Sequence, residues 1–278
     1  MVKNNKLDFL INEFKAESVQ YKKIQVPVDI EGKRNILRSL MNVRMPKEMS
    51  EDTLKIQDEY LKERAKEKGI VKLEDISSIA VLYGVSSKYS DKLSIWQGDI
   101  TRIEADAIVN AANSQMLGCF VPMHTCIDNC IHTFAGVQLR EECNRNMNEL
   151  KMKYGSDYEQ PTAIPMLTDA YNLPAKKVIH VVGPIVYDTL TENEEKALKD
   201  CYINVLNMCY ENGLRSVAFC CISTGVFHFP NDKAAKIAVD TVISWLKGHE
   251  NDMDKIIFNV FKDEDKYLYE KYALQVRS

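Results

Sequence analysis

Residues 109–136 read VNAANSQMLGCFVPMHTCIDNCIHTFAG. The apolar run Ala107-Ile108-Val109 ends in the small polar residues Asn110, Ala111, Ala112 and Asn113, so a short strand is expected to hand over to a loop here. The loop places Cys119, His124 and Cys126 within eight positions. Asp128-Asn129 then opens a helix continuing through Ile131, Phe134 and Leu139. A strand that runs through a ligand-rich loop into a helix N-terminus suits a site handling an anion and a metal ion together.

Outward from this stretch, strands alternate with helices. Leu93–Trp96, Ala107–Val109, Val178–Val182, Ser216–Ile222 and Lys255–Val260 read as strands. Helices are expected over 128–150, from Glu194 to about Cys209, and after Pro230 through Ala234, Ile237, Ala238 and Val242, with a last one at the C-terminus. That order implies βαβ units and a three-layer α/β domain over residues 91–278. Residues 1–90 read differently, as a helical extension. Leu7, Leu10, Ile11 and Phe14 recur at helical spacing, and so do Ile36, Leu37, Leu40 and Met41. Ser50 is placed to cap a helix that starts with Glu51 and Asp52 and ends with Lys66, Lys68 and Gly69. No chemical motif occurs in this part, which reads as a packing or partner-binding element.

Composition narrows the class. Of 278 residues 45% are hydrophobic and 27% charged, as in soluble globular chains. No apolar run reaches the roughly 18 residues of a membrane span. The start, MVKNNKLDFLINEFKAE, lacks the apolar core of a signal peptide, so a cytoplasmic location is expected. The net charge of −4 divides into +3 for residues 1–90 (17 basic against 14 acidic) and −7 for the rest (19 against 26). No basic stripe interleaved with aromatics appears, which argues against nucleic-acid binding. All eight cysteines lie at or after Cys119. Without a secretory signal they are expected to be metal ligands or buried thiols rather than disulfides.

Three motifs fall at expected strand ends, where ligands sit in open α/β sheets. They are Gly98-Asp99-Ile100-Thr101, Val109-Asn110-Ala111-Ala112-Asn113 and Ile222-Ser223-Thr224-Gly225-Val226-Phe227. In this order and spacing, supported by Ile179-His180-Val181-Val182-Gly183-Pro184, they resemble the macrodomain family of ADP-ribose-binding α/β/α modules. The resemblance covers Leu93 to the C-terminus and implies a mixed central sheet. It implies that Asp99 accepts a hydrogen bond from the adenine amino group with Ile100 beside it; for Asp99 alone, a cap on the turn after Gly98 is the competing reading. The loop Ser223, Thr224, Gly225, Val226 and Phe227 would wrap the diphosphate with backbone N–H groups, with Phe227 against the distal ribose. The GxGxxG dinucleotide fingerprint is absent, which disfavours a dehydrogenase.

One departure from the family pattern is informative. Where common macrodomains carry a glycine run, this chain has Gly118-Cys119-Phe-Val-Pro-Met-His124-Thr-Cys126. The Cys-x4-His-x-Cys loop and the helical extension together resemble the zinc-dependent branch of the family. Thiolate and imidazole are the usual zinc donors, and three protein ligands leave a fourth position open, the catalytic arrangement. The competing reading makes Cys119 and Cys126 ordinary small buried residues and His124 a surface histidine. Cys130 reads as a core thiol, with a neighbour to the ligand loop as the alternative; Cys143, Cys201 and Cys209 fit helix faces, Cys220 and Cys221 read as buried in a strand, His132 and His180 as structural, and His228 as a polar edge near the phosphate loop.

By this resemblance the chain is expected to be a zinc-dependent hydrolase removing mono-ADP-ribose from modified protein side chains, with one zinc ion per chain on Cys119, His124 and Cys126. Asn113 and Asp128 would lie beside the bond that breaks, Asp128 as base, orienter or helix cap. The implied partner is a mono-ADP-ribosylated lipoyl-carrier protein like glycine-cleavage H. The alternatives are an ADP-ribose reader without hydrolysis and an O-acetyl-ADP-ribose esterase.

Overall fold

The computed structural model describes residues 2–275. The chain begins with helices α1 (Val2–Ala16), α2 (Val19–Lys22), α3 (Ile30–Val43) and α4 (Glu51–Lys68). Asp29 caps α3 by accepting from Gly32 N at 2.7 Å. Ser50 caps α4 through Thr53 N at 3.3 Å, a type of bond whose loss to alanine costs about 1 kcal/mol. Glu51 and Asp52 occupy the first turn of α4 and Lys66 and Lys68 its last, before Gly69. Leu7, Leu10, Ile11, Phe14, Leu37, Leu40, Met41 and Leu61 form a small core of their own, closed by Val137 from the α/β layer.

Next come β1 (Val71–Lys72), α5 (Ile79–Tyr83), β2 (Leu93–Gln97), β3 (Ile103–Glu104) and β4 (Ala107–Ala112). After the ligand-rich loop run α6 (Ile127–Ala135), α7 (Val137–Tyr154), β5 (Met166–Asp169), β6 (Lys177–Val182) and α8 (Glu192–Glu211). The chain continues through β7 (Ser216–Phe219), α9 (Asn231–Leu246), β8 (Lys255–Val260) and α10 (Asp263–Ala273). The main sheet has the order β2-β8-β7-β4-β6-β5. All its pairings are parallel except β5 with β6. It is the expected mixed sheet between helical layers. Its four inner strands, β8, β7, β4 and β6, are almost wholly buried, as sheets covered on both faces require. Among the described residues no helix is long and apolar enough to cross a membrane.

Three details differ from the sequence reading. The helix expected over 128–150 is two, α6 and α7, broken at Gly136, whose φ of 100° no helix accommodates. The strand expected over 216–222 stops at Phe219, because Cys220 onward turns away to build a loop. The antiparallel edge strand β5 had no distinct pattern in its four residues.

The segment 2–90 is extensively joined to the α/β layer. Lys72 and Val71 pair in parallel with β3. Gln57, fully buried, accepts from Val137 N at 3.1 Å and donates to Gln138 Oε1 at 2.7 Å. Asp58 accepts from Asn172 Nδ2 at 2.7 Å.

Candidate active site

Because β2, β4, β6 and β7 run parallel, their C-terminal ends share one edge of the sheet. Gly98-Asp99 follows β2, Asn113 follows β4, Gly183 follows β6, and the Ser223–Phe227 loop follows β7. This edge is where a ligand is expected.

At the β2 end, Asp99 caps a short 3-10 turn. Its Oδ1 accepts from Thr101 N at 3.0 Å and Thr101 Oγ1 at 2.6 Å. Lys68, in the last turn of α4, reaches its Oδ2 at 2.5 Å. Burial alone would raise the Asp99 carboxyl, but Lys68 and Thr101 together hold it below its ordinary value, so it is an ionised acceptor. The Ile100 side chain is buried in the core, which leaves only its backbone for a ligand.

The β7 loop is shaped for an anion. Ser223 adopts a left-handed conformation (φ 64°), and Phe229 N returns to Ser223 O at 3.0 Å. Val186 N donates to Phe227 O at 2.9 Å, tying the loop to the segment after β6. Among the described residues the N–H groups of Gly225, Val226 and Phe227 donate to no protein acceptor. A Cβ on Gly225 would meet nothing within 4 Å, so glycine leaves space rather than relieving a contact. Phe227 packs with Ala112, Met116 and Val182, joining this loop to the ends of β4 and β6. His228 is exposed beside it, also left-handed (φ 55°).

The loop after β4 carries the densest chemistry. The donor atoms of Cys119, His124 and Cys126 lie within 4.8 Å of one another, and Cys119 Sγ is 3.6 Å from His124 Nδ1. A tetrahedral zinc ion with bonds of about 2.3 Å to sulfur and about 2.1 Å to nitrogen sets its donors about 3.6–3.8 Å apart, so the set is nearly closed on an ion-sized point. Burial pushes the Cys126 thiol up to about 12, and Cys119 and Asp128 add to the rise. A thiolate there therefore requires a neighbouring cation, which a divalent ion would provide. The residues fit zinc by donor type, spacing and electrostatics.

Two residues past Cys126, and close enough to act on its thiol, lies a carboxylate. Asp128 is 5% exposed. Its Oδ1 accepts from Asn110 Nδ2 at 2.8 Å and its Oδ2 from Asn113 Nδ2 at 3.3 Å. Burial raises its carboxyl to about 6 against the opposing pull of Asn110, Arg140 and Asn113. The helix cap is not Asp128. Cys126 caps α6, its Sγ accepting from Asn129 N at 3.4 Å, because the helix starts at Ile127 and leaves Asp128 inside the first turn. Asn113 also donates to Gly118 O at 3.3 Å and accepts from Gln115 N at 3.0 Å. Gly118 has φ 79°, and a Cβ on it would come within 2.7 Å of the His132 ring. His132 is buried and, with burial the main cause, its imidazole is held well below its usual range, hence neutral.

His132, Cys143 and His180 also bring their donor atoms within 4.8 Å, all buried. His180 Nδ1 accepts from Asn110 Nδ2 at 3.0 Å, so its proton sits on Nε2, 3.0 Å from Thr168 Oγ1. That tautomer has no lone pair for an ion, and the group belongs to the packed interior. All eight cysteines are free. Cys143, Cys201, Cys209 and Cys220 are buried, as expected of core thiols, whereas Cys130 and Cys221 are half-buried.

Several residues that shape the site carried no signal in the sequence. Arg38 and Asn42 of α3 contact the metal-type loop. Lys68 covers the Phe134 ring at 3.6 Å besides pairing with Asp99. Arg140 donates to Leu117 O at 2.7 Å and to the carbonyls of Met41, Asn42 and Arg44 at the end of α3. Each contact joins segments far apart in sequence, which no local pattern reveals.

The model of the Macro domain family matches residues 109–238. A protein-ADP-ribose hydrolase of Treponema medium is 46% identical over 271 residues, spanning 98% of this chain and 99% of its own. One from Staphylococcus aureus is 40% identical over 273 residues, 97% of this chain and 96% of its own. Among solved structures, the Trypanosoma brucei macrodomain in complex with ADP-ribose superposes with a TM-score of 0.64 at 27% identity, over 84% of this chain and 94% of that one. With its parallel-sheet edge, its phosphate-type loop and relatives matched almost end to end, the chain belongs to the macrodomain family.

Proposed function

We propose that this protein is a zinc-dependent hydrolase that releases ADP-ribose from mono-ADP-ribosylated protein side chains. One observation carries the reading: the donor atoms of Cys119, His124 and Cys126 converge within the loop that runs from Asn113, at the end of β4, to Asp128, whose oxygens accept from Asn110 and Asn113. The names of the Treponema and Staphylococcus relatives support the activity, and the ADP-ribose in the Trypanosoma structure supports the ligand.

In this reading Asp99 accepts from the adenine amine, which an ionised carboxylate does and a neutral acid does less well. The free N–H groups of Gly225, Val226 and Phe227 donate to the diphosphate. Phe227 supports the distal ribose. Asn113 keeps one lone pair on Oδ1 for a ribose hydroxyl, since Gln115 N takes the other. Asp128 has both oxygens engaged by asparagine amides, so its role is to orient Asn113 and to place negative charge near Cys126. Zinc on Cys119, His124 and Cys126 would supply Lewis-acid polarisation of an oxygen at the distal ribose. The bond cleaved joins the anomeric carbon to the side-chain oxygen; water gives its hydroxyl to the sugar and its proton to the side chain.

The substrate side chain is acidic and its carrier a cytoplasmic lipoyl protein like glycine-cleavage H, a part of the reading that rests on family resemblance. The test is to incubate the protein with a mono-ADP-ribosylated substrate and follow free ADP-ribose. Release supports the hydrolase. Binding of ADP-ribose without release makes the chain a reader instead, and release only from O-acetyl-ADP-ribose makes it an esterase.

A further inference from the structure

We infer that Arg38, on the N-terminal helix α3, is a positioning residue that holds the three donor-bearing segments of the loop in register for the metal ion. The inference rests on the reading of Cys119, His124 and Cys126 as metal ligands and adds a residue 81 positions before the first of them.

The loop has little internal structure to hold it. Between Cys119 and Cys126 its one internal backbone bond is His124 N to Val121 O at 3.2 Å, and Met123 sits at a left-handed φ of 59°. Its order comes from outside. Arg38 Nη2 donates to His124 O at 2.7 Å and to Asn129 Oδ1 at 3.0 Å. Asn129, fully buried, sends its Nδ2 to Cys119 O at 3.2 Å and Val121 O at 3.0 Å. Its backbone N–H reaches Cys126 Sγ at 3.4 Å.

The Arg38 guanidinium and the Asn129 side-chain amide therefore hold the carbonyls of His124 and Cys119, and the Asn129 backbone N–H reaches the Cys126 sulfur. One turn along α3, Asn42 accepts from Met123 N at 3.0 Å and donates to Thr133 Oγ1 at 2.8 Å. Thr133 Oγ1 in turn donates to Asn129 O at 2.7 Å. Arg38 and Asn42 lie four residues apart, on one helix face, and that face is the outer support of the donor set. Groups that orient ligands from outside typically change metal affinity ten- to hundred-fold when removed.

The experiment measures zinc affinity and release rate by competition with a chromogenic chelator, using the full chain. Wild type is compared with Arg38→Met, Arg38→Lys and Lys33→Ala, the last on the same helix but paired with Asp8 instead of the loop. Arg38→Met is expected to weaken zinc binding about ten- to hundred-fold and to speed its release. Arg38→Lys, which keeps the charge but not the planar fork, restores part of it. Lys33→Ala matches wild type. The rise in melting temperature on adding zinc shrinks in the same order, which a merely structural role would not produce. Should Arg38→Met fail to fold, Asn42→Ala removes the Met123 acceptor and carries the same comparison. Tight zinc binding by wild type with equal affinity and release in Arg38→Met and Asn42→Ala overturns the inference alone. A wild type that takes up no zinc overturns the ligand reading beneath it.

Discussion

Asn110 donates from Nδ2 to Asp128 Oδ1 at 2.8 Å, and the same nitrogen faces His180 Nδ1 at 3.0 Å. An amide in the last half of β4 thus neutralises nothing, yet makes a buried carboxylate and a buried imidazole tolerable together. Asn110→Ala should leave that Asp128 oxygen without its donor at a site closed to water. The expected loss of stability is about 2 kcal/mol, read from guanidinium unfolding. Unchanged stability would mean that the Asp128 carboxyl is supported in some other way.

His180 makes folding sensitive to acid. Burial holds its imidazole near 3 in the folded chain, against about 6.5 when unfolded. Between these values the unfolded chain binds a proton that the native one refuses. The contribution is therefore intact above pH 6.5 and lost as pH falls, by about 1.4 kcal/mol per unit from this residue. His132, also held low by burial, adds to the wild-type slope and Asp128, raised to about 6, opposes it, so the check is a difference: between pH 7 and pH 4, His180→Asn should reduce the loss of unfolding free energy on acidification by about one proton.

Gly225 separates ligand binding from stability. Its Cβ direction is open and its φ lies outside the left-handed region, so valine fits the folded chain. Gly225→Val should leave stability within about 0.5 kcal/mol, the range of a benign surface change. ADP-ribose affinity by calorimetry should fall at least about ten-fold, because the side chain occupies the space assigned to the diphosphate.

Asp99 tests the adenine assignment. Asp99→Ala removes a cap and the Lys68 partner, a stability cost of about 1 kcal/mol. It should also abolish the preference for ADP-ribose over its hypoxanthine analogue, which lacks the amine. Retained preference would place the base elsewhere.

The sequence carried the fold and the binding loops because both are written locally. The strand end at Val182, the Ser50 cap and Gly69 stop of α4, and the Cys119–Cys126 spacing each need only neighbouring residues, whereas β4 runs three residues past its expected end at Val109, to Ala112. The break at Gly136 was less legible, because apolar spacing continues across it from Phe134 to Leu139. The support of the site by Arg38, Asn42, Lys68 and Arg140 was not legible at all. Their partners lie tens of residues away, and a basic residue on an amphipathic helix reads the same whether it meets water or a buried carbonyl. The cap at Cys126 was missed for a related reason: thiols are uncommon caps, and Asp128 two residues later is the usual kind.

The most direct measurement is release of ADP-ribose from a mono-ADP-ribosylated protein by the chain as purified, after chelation, and after zinc is restored, alongside Cys119→Ala. The account predicts release by the purified chain, loss of at least about a hundred-fold on chelation, recovery with zinc, and no recovery in Cys119→Ala. Release that is equal before and after verified zinc removal, and equal in Cys119→Ala, would contradict it.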